Sequence, residues 1–261
     1  MSFKGKVVAV TGAAGGIGQA VCRYFAEEGA AIAAIDKKAS VTTFADELKR
    51  EGVKAAHAVA DIGDAAAVAG AFSHLAAELG PMDILINNAG FSDHPTLART
   101  DPAGWQADMN GNLNGAYNCA HAVLPAMQKK RQGSIIAVGS VNGLSALGDP
   151  AYSAAKAGMI SLTRSLALEY GRYGIRSNIV LPATVRTPLW DQRAKKDPKV
   201  LATLMRWYPL GRSVEPIDVA RAIGFLASDA AAAITGVAIP VDCGLTAGNI
   251  VMARELTLED F

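Results

Sequence analysis

The sequence predicts an α/β fold, a doubly wound parallel sheet in a single domain, and three observations carry the prediction. Short runs rich in Val, Ile and Ala alternate along the chain with Ala- and Leu-rich segments of helical period. The first run, residues 6–10 (KVVAV), passes directly into a glycine-rich turn and then a helix. The distinctive polar residues fall just past the ends of the apolar runs, the carboxyl ends of strands, where ligands bind on such sheets. The 261 residues suit one large domain, and no linker, repeat or low-complexity segment divides them. Residues 1–261 are therefore read as one unit, with 188–210 as a candidate lid and 249–261 as a tail.

Composition narrows the functions. Twenty-five basic residues against 24 acidic ones leave a net charge of +1 without a basic block, which argues against nucleic acid and anionic membrane as partners. No apolar run reaches the length of a membrane span, and the start MSFKGKVVAV does not read as a signal peptide. Cys22, Cys119 and Cys243 are far apart and lack metal-ligand spacing. They read as reduced thiols, so a cytoplasmic location and no metal are expected.

Residues 6–10 form a strand buried on both faces, and TGAAGGIG at 11–18 turns into the helix GQAVCRYFAEEG. Backbone N–H groups at such a helix start can face a diphosphate when no Cβ intervenes, although a tight turn without a ligand would read alike. A second strand at 31–35 ends at Asp36, 18 residues after Gly18. A carboxylate there can accept the hydroxyls of an adenosine ribose and repel a 2′-phosphate, or simply form a turn. No basic residue lies inside the glycine turn, so NAD is expected over NADP, although Lys37 and Lys38 follow at once.

A third strand is expected at 53–59, with Asp61 either starting a helix or meeting the adenine amino group. Val68, Phe72, Leu75 and Leu79 form one helical stripe. The fourth strand, 82–86, runs into Asn87-Asn88-Ala89-Gly90, small and amide residues that permit close approach of a ligand. Residues 101–130 read as a long helical region, where Asn110, Asn112, Asn114 and Asn118 cost stability unless their amides are used, most simply in bonds to neighbouring helices. A fifth strand spans 133–139. A sixth, 174–181, is broken by Pro182, a helix covers 215–227, and a seventh strand covers 236–241.

The remaining stretch, 139–156 (GSVNGLSALGDPAYSAAK), places Ser140 at a strand end and sets Tyr152 and Lys156 four residues apart on one helical face. A phenol beside an ammonium is an acid–base device, because positive charge favours the phenolate, though most such pairs are surface neighbours.

These motifs together, TGAAGGIG at 11–18, NNAG at 87–90, Ser140, YSAAK at 152–156, GIRSN at 174–178, PATVRT at 182–187 and ITGVAIPVDCG at 234–244, resemble the short-chain dehydrogenase/reductase family over about residues 3–248. The resemblance implies a Rossmann fold with a seven-stranded parallel sheet in order 3-2-1-4-5-6-7, flanked by helices. It implies that Gly12, Gly16, Ile17 and Gly18 cradle the diphosphate, Asp36 takes the ribose, and Asp61 and Ile62 the adenine. Asn88, Ala89 and Gly90 would border the ribose, and Val185 and Thr187 hold the carboxamide. Asn112, Ser140, Tyr152 and Lys156 match the family's catalytic set, Asn112 through a water-borne proton relay; Lys156 also holds the nicotinamide ribose. The implied activity is hydride transfer between NAD and a secondary alcohol or ketone, in a homotetramer or homodimer.

Three departures from the family's pattern stand out: Ala183 and Cys243 where glycine is usual, and Ser177 where an apolar residue is common, its hydroxyl needing a partner if buried. Substrate walls are expected from 92–97, 142–149 and 187–208, containing Asp93, His94, Asn142, Asp149, Trp190 and Arg193. That polar set with a few aromatics favours a small hydroxylated substrate, a polyol, sugar or hydroxy acid. His94 reads more simply as an exposed loop histidine than as a ligand contact. The alternatives are a 3-oxoacyl-thioester or hydroxysteroid enzyme of the same family, and an NAD-binding regulator without turnover.

Overall fold

The computed structural model describes residues 2–259 with the exception of 188–189, 191–194, 196 and 198. Seven parallel strands lie in the order β3-β2-β1-β4-β5-β6-β7, as the family resemblance implied. They are β1 (Val7–Thr11), β2 (Ala31–Asp36), β3 (Ala55–Val59), β4 (Ile84–Asn87), β5 (Gly133–Val138), β6 (Ile175–Pro182) and β7 (Ala238–Val241). Every residue of β1 and β5 is buried, which is why these strands read as continuous apolar runs without alternation.

The two-residue period of a strand sorts those side chains between the two faces. Val8, Val10 and Ile32 pack on one face with Phe25 of α1 (Gly16–Glu27), Leu48 of α2 (Ser40–Arg50) and Ile223 of α8 (Pro216–Ala227). Val7, Ala9 and Ala33 pack on the other with Leu75 of α3 (Ala65–Leu79) and Val123 and Met127 of α5 (Gly115–Lys130). The stripe Val68, Phe72, Leu75 and Leu79 is buried throughout. Truncating the fully buried Leu75 to Ala would cost about 2–5 kcal/mol.

Several boundaries differ from the sequence reading. β3 begins at Ala55 because the Val53 N–H is used to close α2, on the Leu48 carbonyl. Pro182 does not break the sixth strand but ends it, in register with Val241. A proline forfeits only its own N–H, which the last residue of a strand tolerates. β7 starts two residues later than expected, since Gly236 still belongs to a turn with positive φ. The long helical region divides into α4 (Pro102–Met109), a widened π turn at Asn110–Asn114, and α5. Beyond it lie α6 (Pro150–Tyr170), the short α7 (Val200–Met205), and α9 (Ile250–Thr257), a helix inside the expected tail that Asn249 caps through the Met252 N–H. No described helix is long and apolar enough to cross a membrane.

Candidate active site

At the carboxyl end of the sheet, β1 opens into the glycine turn. Gly12 has φ +64, and a Cβ on it would lie 2.8 Å from the Ala89 α-carbon. A Cβ on Gly18 would fall 2.1 Å from the Gly12 carbonyl oxygen, so neither position accepts a side chain without moving backbone. Gly15 caps α1 with no side-chain bond, leaving the first-turn N–H groups, from Gly16, Ile17 and Gly18 onward, without a side-chain acceptor. An anion fits that helix end, since both the N–H groups and the helix dipole favour negative charge.

The turn is braced by its neighbours. Asp36 Oδ2 accepts the Ala14 N–H at 3.0 Å and Oδ1 the Lys38 N–H at 2.9 Å, which fixes the carboxylate at the end of β2. Lys37 places its ammonium 4.5 Å from the centre of the Phe91 ring. Asn88 Nδ2 donates to the carbonyls of Thr11 and Gly12, while the Thr11 hydroxyl accepts the N–H groups of Asn88 and Ala89. Thr11 thus joins β1 to the NNAG segment, a role the sequence reading missed; a hydroxyl closing an apolar strand was the signal. Asp61 is exposed and forms a turn with the Gly63 N–H, while Ile62 is buried against Gly115.

The catalytic candidates come together where β4, β5 and α6 meet. Ser140 follows β5, and its Oγ accepts the Asn142 N–H at 3.1 Å. The Tyr152 phenol lies near enough to the Ser140 hydroxyl for that hydroxyl to favour the phenolate. Asn142 Nδ2 reaches the Gly148 carbonyl and Ser153 Oγ, which ties the wall 142–149 onto α6. Lys156 is buried, and its Nζ donates to the Val138 carbonyl at 2.9 Å. Burial pushes its pKa down to about 7. Burial holds the Tyr152 phenol above its ordinary value; the Ser140 hydroxyl opposes that shift and Asp149 adds to it.

The π turn brings Asn112 into this centre. Its Nδ2 donates to the carbonyls of Phe91 and Asp108, and its buried Oδ1 has no partner among the described residues. A Cβ on Gly90 would lie 2.5 Å from that Oδ1 and 3.1 Å from Lys156 Nζ, so the two polar groups converge over the same glycine. The other asparagines are used in neighbouring bonds: Asn114 and Gln106 donate to Asn110 Oδ1, and Asn118 donates to the Ile62 carbonyl.

The outer wall differs from expectation in one respect. His94 is not a free loop residue: its Nδ1 lies 3.6 Å from Oδ2 of Asp108, a fully buried carboxylate on α4. Asp108 escaped the sequence reading, although it precedes Asn112 by one helical turn on the same face. Val185 is buried and bridges Val214, and Thr187 accepts the Trp190 N–H. Of the lid 188–210, Tyr208 is buried with its hydroxyl accepting the Thr184 N–H; Arg193 and most of 188–198 lie outside the described residues.

Ser177 is buried in β6 with no partner for its hydroxyl among the described residues, and Cys243 adopts φ +52, a left-handed conformation that suits the glycine usual there. Cys22, Cys119 and Cys243 are all free thiols.

A family model described as enoyl-(acyl carrier protein) reductase matches residues 12–246. An uncharacterized oxidoreductase of Schizosaccharomyces pombe is 42% identical over 261 residues, covering 100% of this chain and 98% of the relative. The crystal structure of an oxidoreductase of the short-chain dehydrogenase/reductase family from Burkholderia thailandensis is 49% identical, with a TM-score of 0.92 over 98% of each chain. A gluconate 5-dehydrogenase from Burkholderia cenocepacia, solved in complex with NADP and tartrate, is 34% identical with a TM-score of 0.89, over 95% of this chain and 97% of that one.

Proposed function

The chain belongs to the short-chain dehydrogenase/reductase family, and from that premise we propose that it transfers a hydride between NAD and a secondary alcohol or ketone, on a small hydroxylated compound. The observation that carries the reading is that buried Lys156 and the Asn112 Oδ1, which has no partner among the described residues, converge over Gly90, with the Tyr152 ring centre 5.3 Å from the Lys156 ammonium and Ser140 beside the phenol. Buried titratable groups and unpaired polar atoms of this kind cluster at functional sites, which supports the reading.

When bound, the nicotinamide dinucleotide supplies the hydride acceptor and a positive ring that favours the phenolate. The glycine turn fits its diphosphate, since Gly12 and Gly18 clear the space and Gly16, Ile17 and Gly18 lie in the uncapped first turn. Asp36 would take the ribose hydroxyls, and its fixed carboxylate would repel a 2′-phosphate. Asp61 and Ile62 would meet the adenine, Asn88, Ala89 and Gly90 the ribose, and Val185 and Thr187 the carboxamide.

In the oxidising direction Tyr152 takes the alcohol proton, and in reduction it returns one to the same oxygen. Ser140 donates a hydrogen bond to that oxygen and fixes its place. Lys156, in its protonated form, would stabilise the phenolate, and it would hold the nicotinamide ribose; Asn112 would position the water that carries the proton to solvent. Asn142, Asp149 and Trp190 would wall the substrate.

The buried free thiols Cys22 and Cys119 support a cytoplasmic location. Tyr117 on α5 and Leu168 on α6, both exposed, support burial of those helices in a homotetramer or homodimer. Turnover with NAD and NADP over polyols, sugars, hydroxy acids, steroids and acyl thioesters tests the reading. Tyr152→Phe should cut turnover by orders of magnitude while NAD binding persists; near-normal turnover in that variant defeats it.

A further inference from the structure

Asp149 sits at the N-cap of α6, three residues before Tyr152, yet its carboxylate does not cap the helix. An aspartate in that position ordinarily accepts a first-turn N–H. Here the backbone has φ +49, in the left-handed region, and the side chain is turned to Ser92, whose hydroxyl donates to Oδ1 at 2.6 Å. Oδ2 has no hydrogen bond among the described residues. Backbone strain of this kind persists only where surrounding contacts hold it, and such places cluster at functional sites.

Those contacts come from one strap. Ser92 binds the Asp149 carboxylate from one side, and the Pro95 carbonyl accepts the Asp149 N–H at 3.1 Å from the other. Between the two points the strap turns His94 down onto α4. A Cβ on Gly104 would lie 2.6 Å from the His94 Cε1 and Nε2 atoms, so only glycine leaves room for the ring. Asp108 lies below it, both carboxylate oxygens buried, with Oδ2 facing His94 Nδ1 at 3.6 Å. A seat, an anchor and a clamp thus hold one carboxylate beside the catalytic phenol, and its charge reaches both Tyr152 and Asp108.

We propose that Asp149 determines specificity, its free carboxylate oxygen accepting a hydroxyl adjacent to the reacting carbinol, and that His94 and Asp108 are positioning residues that hold the strap 92–95 and, through it, Asp149. The proposal rests on the hydride-transfer reading and narrows its substrate class to neutral vicinal diols. A hydroxy acid would bring a second carboxylate against Asp149, with Asp93 close by, and like charges repel.

The test measures NAD-dependent oxidation of cyclohexane-1,2-diol, cyclohexanol and lactate, together with amide hydrogen exchange of the peptide covering 91–99. The wild type should favour the diol over cyclohexanol by tenfold or more in kcat/KM and use lactate poorly. Asp149→Gly, which keeps the left-handed backbone, should bring the diol-to-cyclohexanol ratio close to one, and Asp149→Asn, which keeps an acceptor oxygen, should retain part of it. His94→Leu and Asp108→Leu should each raise KM for the diol about tenfold with a smaller change in kcat, and speed exchange in 91–99 while the peptide of β5 is unchanged. His94→Gln should recover part of the KM.

A wild type that prefers lactate, an unchanged ratio in Asp149→Gly, or faster exchange without a change in KM each overturns the proposal while leaving hydride transfer intact. A wild type that oxidises no alcohol in the wider panel overturns the hydride-transfer reading itself, and this proposal with it.

Discussion

The ammonium of Lys156 lies 5.3 Å from the centre of the Tyr152 ring, and its hydrogen bond goes to the Val138 carbonyl on β5 and not to the phenol. The pair that the YSAAK spacing singled out is therefore anchored to the sheet, one side chain over the face of the other. Held this way, Lys156 keeps its place whether or not the phenol is ionised.

That burial gives a stability signature. With its pKa lowered to about 7, Lys156 is neutral in the folded protein over a range where the unfolded chain still binds the proton. Unfolding then takes up a proton, so the stability contributed by this group rises from about pH 7 towards the unfolded value near 10.5. Lys156→Met should be more stable than the wild type at pH 7, and its advantage should shrink by up to ~1 kcal/mol per pH unit above that. Urea midpoints between pH 6.5 and 9.5 check this; a constant difference contradicts it.

Asp108 should show the opposite slope. Burial raises its carboxyl pKa, with His94 opposing the shift and Asp93 and Asp149 adding to it. An acid whose folded pKa is raised contributes stability at low pH and loses it as the pH rises through that folded value. Relative to Asp108→Asn, the wild type should therefore lose stability as the pH climbs above 3.8. Thermal melts of both proteins across that range provide the measurement.

Asp36 governs the choice of cofactor in the proposed reading. Its carboxylate is fixed by two backbone N–H groups, so it cannot swing away from a 2′-phosphate at little cost. Asp36→Ser removes the charge and should shift the NADP-to-NAD ratio of kcat/KM at least tenfold towards NADP, which is about 1.4 kcal/mol. Equal ratios in variant and wild type would remove Asp36 from that role.

The Ser177 hydroxyl has the exposure of a core residue, 1%, and no partner among the described residues. A buried unsatisfied hydroxyl costs about 1–3 kcal/mol, and Ala removes it without leaving a large void. Ser177→Ala should raise the melting temperature by about 2–4 °C, with turnover unchanged. A lower melting temperature would mean that the hydroxyl has a partner, such as a buried water.

The fold was legible because buried parallel strands have no polar face to disguise them: KVVAV and its counterparts announce themselves. The candidate set Asn112, Ser140, Tyr152 and Lys156 came from motifs matched to the family, since a Tyr/Lys pair at helical spacing says little by itself. Strand limits were harder, because they depend on which neighbour takes a single N–H, as Val53 does when it closes α2 and leaves Ala55 to begin β3. Asp108 was illegible for a different reason. A carboxylate among Gln106, Asn110 and Gly111 looks like a solvated face, yet in the fold it is buried with His94 against it. His94 likewise looked like loop surface until Gly104 supplied its seat. The π turn has no signature in apolar period at all, since it changes the pitch of five residues without changing which are polar.

That turn makes the length of the chain here as binding as its composition. A wide turn takes up one residue more than an α turn, so the extra residue is absorbed locally and α4 and α5 keep nearly the phase of one continuous helix. Deleting one residue within 110–114 would let the stretch close as an α turn, so Cys119, Val123 and Met127 would keep the core they fill while Asn112 would leave Gly90. Side chains in this stretch can be exchanged one at a time, each for its own local cost, but the loss of one residue removes the wide turn itself. Inherited variation at 110–114 should therefore run to substitution and spare the count.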